Sequence, residues 1–266
     1  MNNYKLGILG VGKMGGSILE GIISSNIFSK DDIYLYDTNI DIKTKYMDRG
    51  FNMATDEYNL VEESEMILLA IKPQMFGCLT KYNFKITNKV IISIVAGKTL
   101  SDLQSIFGNQ QFIRVMPNTP SLIGCGATAI SKTNNVDEKT FSDVKKMFES
   151  IGMVAVIDDN LMNEVIPLNG SMPAYLYYFA KAFINNAVEK GIDFNTAKEL
   201  CCHAIIGSAK MILQTNKSID ELIKDVCSPK GATLEGIKVL EENKVNAILN
   251  ETSDACINRA YELSKL

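Results

Sequence analysis

The chain has no tryptophan, one histidine (His203) and six cysteines, none of them in C-x-x-C spacing, among its 266 residues. That scatter, with a single imidazole to assist it, argues against both a zinc site and a disulfide framework, so no metal is expected and the thiols are expected to be buried. Lysine and arginine nowhere cluster, and the net charge is −4 with a pI near 5.2, which argues against a nucleic-acid surface. The opening MNNYKLGILGVGKMG lacks the basic stretch and long apolar run of a signal peptide. No later run has the uncharged length that spans a bilayer. The expected location is the cytoplasm, with no membrane partner. Repeats, low-complexity tracts and long linkers are also missing, while the length allows a sizeable core in one large domain or two.

What is present falls into two halves. Up to about residue 156, short β-branched runs (KLGILG, DIYLYD, EMILLAI, KVIISIVAG, QFIRVMP, CGATAIS, GMVAVI) alternate with helical segments. Alternation of this kind predicts a parallel, doubly wound α/β sheet. After Asp158 the apolar residues recur at helical spacing with no strand signal, which predicts an all-helical second half. The expected domains are therefore 1–158 and 159–266, joined at a helix start near Asp158, Asp159 and Asn160.

LGILGVGKMGG places Gly10, Gly12 and Gly15 in G-x-G-x-x-G order between a strand and an amphipathic helix. The first glycine permits a tight turn, the second lets main-chain N–H groups approach a pyrophosphate, and the third allows close helix packing. Phosphates would sit at the positive end of that helix. Asp37 ends the next strand, where a carboxylate bonds both ribose hydroxyls and repels a 2′-phosphate; no arginine follows it in Thr38-Asn39. The cofactor expected is NADH or NADPH, with NADH favoured. A capping or turn role is the alternative for Asp37. Further on, Ala70, Ile71 and Lys72 end a strand at the ligand-binding edge of such a sheet, and Pro73 fits the first turn of the next helix. The small pair Ala96-Gly97 would admit a flat ring.

Near the end of the chain, DVCSPKGATLEG has the composition of a tight turn opening a helix. Its residues alone leave two readings open, a helix cap or an anion site.

With AIKPQ, SIVAGKTL, RVMPNTP, GSMPAY, IIGSAKM and SPKGATLEG in this order, the chain resembles the pyrroline-5-carboxylate reductases from about residue 5 to 263. The resemblance implies a Rossmann-type domain followed by a helical dimerisation domain that interlocks with a second copy, often within larger rings of dimers. It implies a nucleotide loop of Leu9, Gly10, Val11, Gly12, Lys13 and Met14, with Ala70, Ile71, Lys72 and Pro73 lining the nucleotide. Ile94, Val95 and Ala96 would lie near the nicotinamide, and Met116, Pro117 and Asn118 would flank it. The substrate implied is a small cyclic imine. Its carboxylate would be cradled by Ser228, Pro229, Lys230, Gly231 and Ala232, with the Thr233 hydroxyl at the ring nitrogen as the catalytic group.

The pattern is not complete. Lys230 and Met172 replace glycines, Pro167 stands where glycine is usual, and Lys181 and Asn185 stand where acids are common. Three alternatives follow: a reductase of another cyclic imine, a 3-hydroxyacid dehydrogenase relative using Lys181 and Asn185 on one helix face, and a regulatory protein that binds a dinucleotide without turnover.

Overall fold

The computed structural model describes residues 4–81 and 87–264. Eight strands form one sheet in the order β3-β2-β1-β4-β5-β6-β7-β8. They are β1 (Tyr4–Leu9), β2 (Ile33–Tyr36), β3 (Asn52–Met53), β4 (Ser64–Leu69), β5 (Val90–Ser93), β6 (Gln111–Met116), β7 (Gly126–Lys132) and β8 (Gly152–Val156). The helices between them are α1 (Lys13–Ser24), α2 (Ile40–Asp48), α3 (Glu57–Glu63), α4 (Pro73–Phe76), α5 (Leu100–Phe107) and α6 (Glu138–Glu149). Seven of these strands are the predicted apolar runs. The two-residue β3 is too short to leave a period in the sequence.

Period-two alternation places the strand residues in two cores. Leu6, Ile8, Leu35, Leu68, Ile92, Ile113 and Val115 pack on one face with Ile18 and Leu19 of α1 and Phe148 of α6. Their neighbours Leu9, Ile67, Leu69, Ile91 and Phe112 pack on the other face with Leu60 of α3 and Leu103 and Phe107 of α5. A sheet covered on both faces explains why its strands read as unbroken apolar runs. Each fully buried Leu, Ile or Phe adds about 1.5–3 kcal/mol.

One neighbouring pair departs from the parallel pattern: β6 and β7 are antiparallel, with Val115 opposite Ile130. The link 117–125 holds only a 3₁₀ turn, Thr119–Ile123. It is shorter than the dozen or so residues that a parallel crossover needs, so the chain returns antiparallel. The α6 crossover then makes β7 and β8 parallel.

The sheet order reverses between β1 and β4, which are direct neighbours. Such a reversal opens a crevice at the C-terminal strand ends, where open α/β sheets bind ligands.

The remainder is helical, as expected: α7 (Met172–Glu189), α8 (Phe194–Gln214), α9 (Ile219–Val226), α10 (Ala232–Glu242) and α11 (Val245–Ser264). By compactness the chain divides into a sheet unit that ends at Pro173 and resumes at Ile257, and a helical unit, Ala174–Cys256. Residues 159–171 therefore pack with the sheet although they hold no strand. At the join expected to be a helix start lies a 3₁₀ turn, Asp159–Leu161.

The thiols differ from the expectation. Cys78, Cys125 and Cys202 are exposed, and Cys201, Cys227 and Cys256 are half-buried. Cys78 and Cys125 sit in turns at the sheet's ligand edge rather than on a core face. Among the described residues no helix is long and apolar enough to cross a membrane.

Candidate active site

The glycine turn is built as its spacing predicts. Gly10 has φ +96°, and a Cβ on it would lie 2.6 Å from the Ala70 carbonyl oxygen, so only glycine lets β1 and β4 end this close together. At Gly15 a Cβ would lie 2.1 Å from the Gly10 carbonyl oxygen, which brings α1 directly onto the turn. Gly12 is different. It is the N-cap of α1 with φ −69°, and beyond its own chain neighbours no atom lies within 4 Å of where its Cβ would be. Nothing in the fold demands glycine there, whereas a phosphate approaching the main chain would. No side chain caps α1 and no acid stands in its first turn, so its positive end is left to an anion.

A cavity of about 380 Å³ lies beside this turn, within the range of small-molecule sites of roughly 300–1,000 Å³. Leu9, Gly10, Gly12, Asp37, Ala70, Ile71 and Lys72, all predicted from sequence, line it. Val11 is buried and contributes its main chain: its N–H donates to Asp37 Oδ2 at 2.9 Å. Asp37 Oδ1 accepts the Asn39 N–H at 2.9 Å, so the turn role coexists with the place at the cavity wall. Lys13 is exposed, while Met14 packs against the first core. Pro73 occupies the first turn of α4, which leaves Lys72 at the rim.

The next strand end is less uniform. Val95 is buried in the second core and Ile94 packs on the first, so of these three only Ala96 is exposed. Met116 and Pro117 are half-buried, and Asn118 is 8% exposed. Both ends of the Asn118 amide are engaged within the protein: Nδ2 donates to the Asn169 carbonyl at 3.1 Å, and Oδ1 accepts the Ala127 N–H at 2.9 Å. On the other side of this turn, the Ser17 hydroxyl of α1 donates to the Ser121 carbonyl at 2.8 Å.

The 228–233 turn stands in the helical unit and is described by itself. The Gly231 N–H donates to the Ser228 carbonyl at 2.9 Å, and Lys230 takes φ +60°. Proline at the second position and positive φ at the third are the pattern of a type II turn, in which glycine normally fills the third. A Cβ on Gly231 would lie 2.3 Å from Ser228 Oγ, so that glycine is required for space. Gly231 is the N-cap of α10 and no side chain caps the helix. Thr233, exposed in its first turn, is therefore not the cap.

Residues 159–263 match the family described as pyrroline-5-carboxylate reductase dimerisation, and residues 5–97 match that described as NADP oxidoreductase, coenzyme F420-dependent. The pyrroline-5-carboxylate reductase of Escherichia coli (strain K12) is 33% identical over 268 residues, 98% of each chain. This chain belongs to the pyrroline-5-carboxylate reductase family. The enzyme of that name from Arabidopsis thaliana is 31% identical over 99% of this chain and 96% of its own. A crystal structure of pyrroline carboxylate reductase from Plasmodium falciparum with NADP bound is similar, with a TM-score of 0.88, 27% identity and 99% of each chain covered.

Several residues of this family member were not singled out from sequence. Lys43 Nζ lies 4.6 Å from the ring centroid of Tyr36, which lines the cavity. Arg114, in the middle of β6 and 5% exposed, pairs with Asp159 at 3.3 Å and donates to Asn163 Oδ1 at 3.1 Å. A lone charge inside QFIRVM was the available signal, because a buried guanidinium requires partners. The Tyr261 hydroxyl donates to Glu164, and that carboxylate holds the phenol pKa above its ordinary value. Asn169 left no signal, since its partners lie some fifty residues earlier in the chain.

Proposed function

We propose that this chain is a pyrroline-5-carboxylate reductase, reducing the C=N bond of 1-pyrroline-5-carboxylate to give L-proline. The observation that carries the reading is the end-to-end likeness to reductases of that name, at 33% identity over 98% of both chains. The glycine turn at the β1/β4 reversal supports it physically. The open space at Gly12, the uncapped α1 and the adjoining cavity suit the pyrophosphate and adenosine of a dinucleotide.

In this reading 1–158 serves as the nucleotide domain and 159–266 as the dimerisation and substrate domain. Leu9, Gly10, Val11, Gly12, Lys13, Met14 and Gly15 hold the phosphates, Asp37 the ribose, and Ala70, Ile71, Lys72 and Pro73 the adenosine side. Ile94, Val95 and Ala96 stand at the nicotinamide with the 116–118 turn. When bound and reduced, the cofactor supplies a hydride to the carbon of the C=N bond. The turn Ser228, Pro229, Lys230, Gly231 and Ala232 cradles the substrate carboxylate at the N-terminus of α10, whose first-turn N–H groups, beginning with that of Ala232, have no side-chain cap and donate to it. The Thr233 hydroxyl holds the ring nitrogen in its protonated form. An iminium is already electrophilic, so orientation outweighs acid strength, in keeping with a chain that has a single histidine.

NADH is the favoured cofactor, because the Asp37 carboxylate repels a 2′-phosphate. The working unit is a homodimer, which also admits rings of dimers, in the cytoplasm. The helical unit supports the dimer: Phe183, Leu200 and Leu213 are 68, 64 and 84% exposed, more apolar surface than a monomer ordinarily leaves to water. The test is a coupled absorbance assay of purified protein with pyrroline-5-carboxylate and each reduced cofactor. Binding of nucleotide without turnover would overturn the reading.

A further inference from the structure

Strands β6 and β7 are paired from Met116–Ala129 to Ile113–Lys132 and then part around the 117–125 link. Where they part, main-chain groups that a continued ladder would satisfy need other partners. Two buried amides take their place. Asn118 Oδ1 accepts the Ala127 N–H at 2.9 Å, and Asn169 Nδ2 donates to the Met116 carbonyl at 2.8 Å and more weakly to the Ala127 carbonyl at 3.5 Å. The pair is closed by Asn118 Nδ2 on the Asn169 carbonyl, and Asn169 Oδ1 accepts the Gly170 N–H at 2.6 Å. Asn118 and Asn169 are only 8 and 6% exposed. The Asn169 Nδ2 thus bridges the main chain of the two parting strands, held chiefly on the Met116 carbonyl, while Oδ1 turns back to its own chain at Gly170.

We propose that Asn169 is a positioning residue of the reductase, fixing the 116–118 turn at the nicotinamide end of the site through the Met116 carbonyl. This rests on the reading that the turn flanks the nicotinamide. If Asn169 cannot donate, the Met116 carbonyl loses its short partner and the turn is free to rotate or pair differently. The adenosine cavity is lined by other segments and is untouched.

Asn169→Asp, assayed at about pH 8–9 so that the buried carboxyl is ionised, tests the donor in an isosteric side chain, since a carboxylate accepts but cannot donate whereas the protonated acid still would. A readout that separates positioning from stability is binding of NADH against ADP-ribose, which lacks the nicotinamide. The expected result for Asn169→Asp is a fall of tenfold or more in kcat/KM, weaker NADH binding, ADP-ribose affinity within twofold of wild type, and a larger isotope effect with deuterated NADH. Asn169→Ser, whose hydroxyl can donate, should recover part of the loss, and Asn169→Ala, which has no side-chain donor, serves if the aspartate variant does not fold.

Gln110→Ala is the control. It removes another buried amide, one that accepts the Lys89 N–H at 3.1 Å at the opposite end of β6, and should lower Tm without moving these ratios. Folded Asn169 variants with wild-type kcat, KM and NADH to ADP-ribose ratio would overturn the role and leave the reductase reading intact. A wild-type protein that does not reduce the imine would remove both.

Discussion

The Val11 N–H donates to Asp37 Oδ2 at 2.9 Å, tying the nucleotide turn to the end of the neighbouring strand β2. On the proposed reading the same carboxylate has a second duty, disfavouring a 2′-phosphate. Asp37→Ser removes both. The NADPH to NADH ratio of kcat/KM should rise about tenfold, equivalent to ~1.4 kcal/mol. KM for both cofactors should rise as the loop loosens. Steady-state kinetics with each cofactor decides it, and a wild type that already prefers NADPH tenfold would refute the reading of Asp37.

Gly12 and Gly15 should respond differently to alanine. A Cβ at Gly12 meets nothing within 4 Å, so Gly12→Ala should cost only an N-cap preference of about 1 kcal/mol or less while weakening dinucleotide binding tenfold or more. A Cβ at Gly15 would lie 2.1 Å from the Gly10 carbonyl oxygen. Gly15→Ala should cost about 1–3 kcal/mol or more of stability, since main chain has to move. Calorimetric titration and thermal melts on the two variants separate a ligand-facing glycine from a packing one.

Because Gly231 is the N-cap of α10, Thr233→Ala should leave Tm unchanged. It should lower kcat/KM by about ten- to a hundredfold, or ~1.4–2.8 kcal/mol. Wild-type kinetics in that variant would remove Thr233 from the chemistry. Lys230 holds φ +60°, which costs an L-residue about 1–2 kcal/mol. Lys230→Gly relieves that strain, less the roughly 0.5–1 kcal/mol by which glycine favours the unfolded chain, so Tm should rise modestly. If the ammonium also attracts the carboxylate, imine KM should increase and lose its salt dependence; an unchanged KM makes the lysine a bystander.

Bonds from Ser29 and Lys5 hold the Asp32 carboxyl down to about 2, against an ordinary value of 3.8. A depressed folded-state pKa gives stability that is complete above the unfolded value and is lost as pH falls through the folded one. Stability should therefore drop between about pH 4 and pH 2. With a quarter of the side chain exposed, at 26%, the contribution is about 1 kcal/mol or less. Asp32→Asn should flatten that part of the acid melting curve, and an identical curve would assign the acid sensitivity elsewhere.

The parts of this molecule readable in its sequence are those that repeat or that obey short-range rules. Two-sided burial made the strands near-continuous apolar runs, and glycine spacing fixed the turn at the β1/β4 reversal. Pro73 and Asp37 fell where helix-start and strand-end chemistry require. What escaped depends on distant partners: Arg114 on Asp159 and Asn163, Tyr261 on Glu164, and Asn169 on a turn some fifty residues earlier. Chain reversal at β7 was also missed, although the shortness of the 117–125 link carries it. The exposed thiols depart from cysteine's average burial because Cys78 and Cys125 lie in connections outside the strands and Cys202 lies on an open face of α8.

The return of α11 to the sheet unit sets an order of events during synthesis. Every strand has been made by residue 156, yet the sheet unit still lacks the last turns of α11. Ala260 there is 8% exposed, Tyr261 reaches Glu164, and Leu263 Cβ lies 3.5 Å from where a Cβ on Gly97 would be. A nascent chain can thus assemble its strands early but completes the sheet unit only once the segment from Ile257 onward has emerged from the ribosome. A chain truncated before Ile257 would keep all eight strands and expose the surface that these last turns cover, leaving it a target for proteolysis.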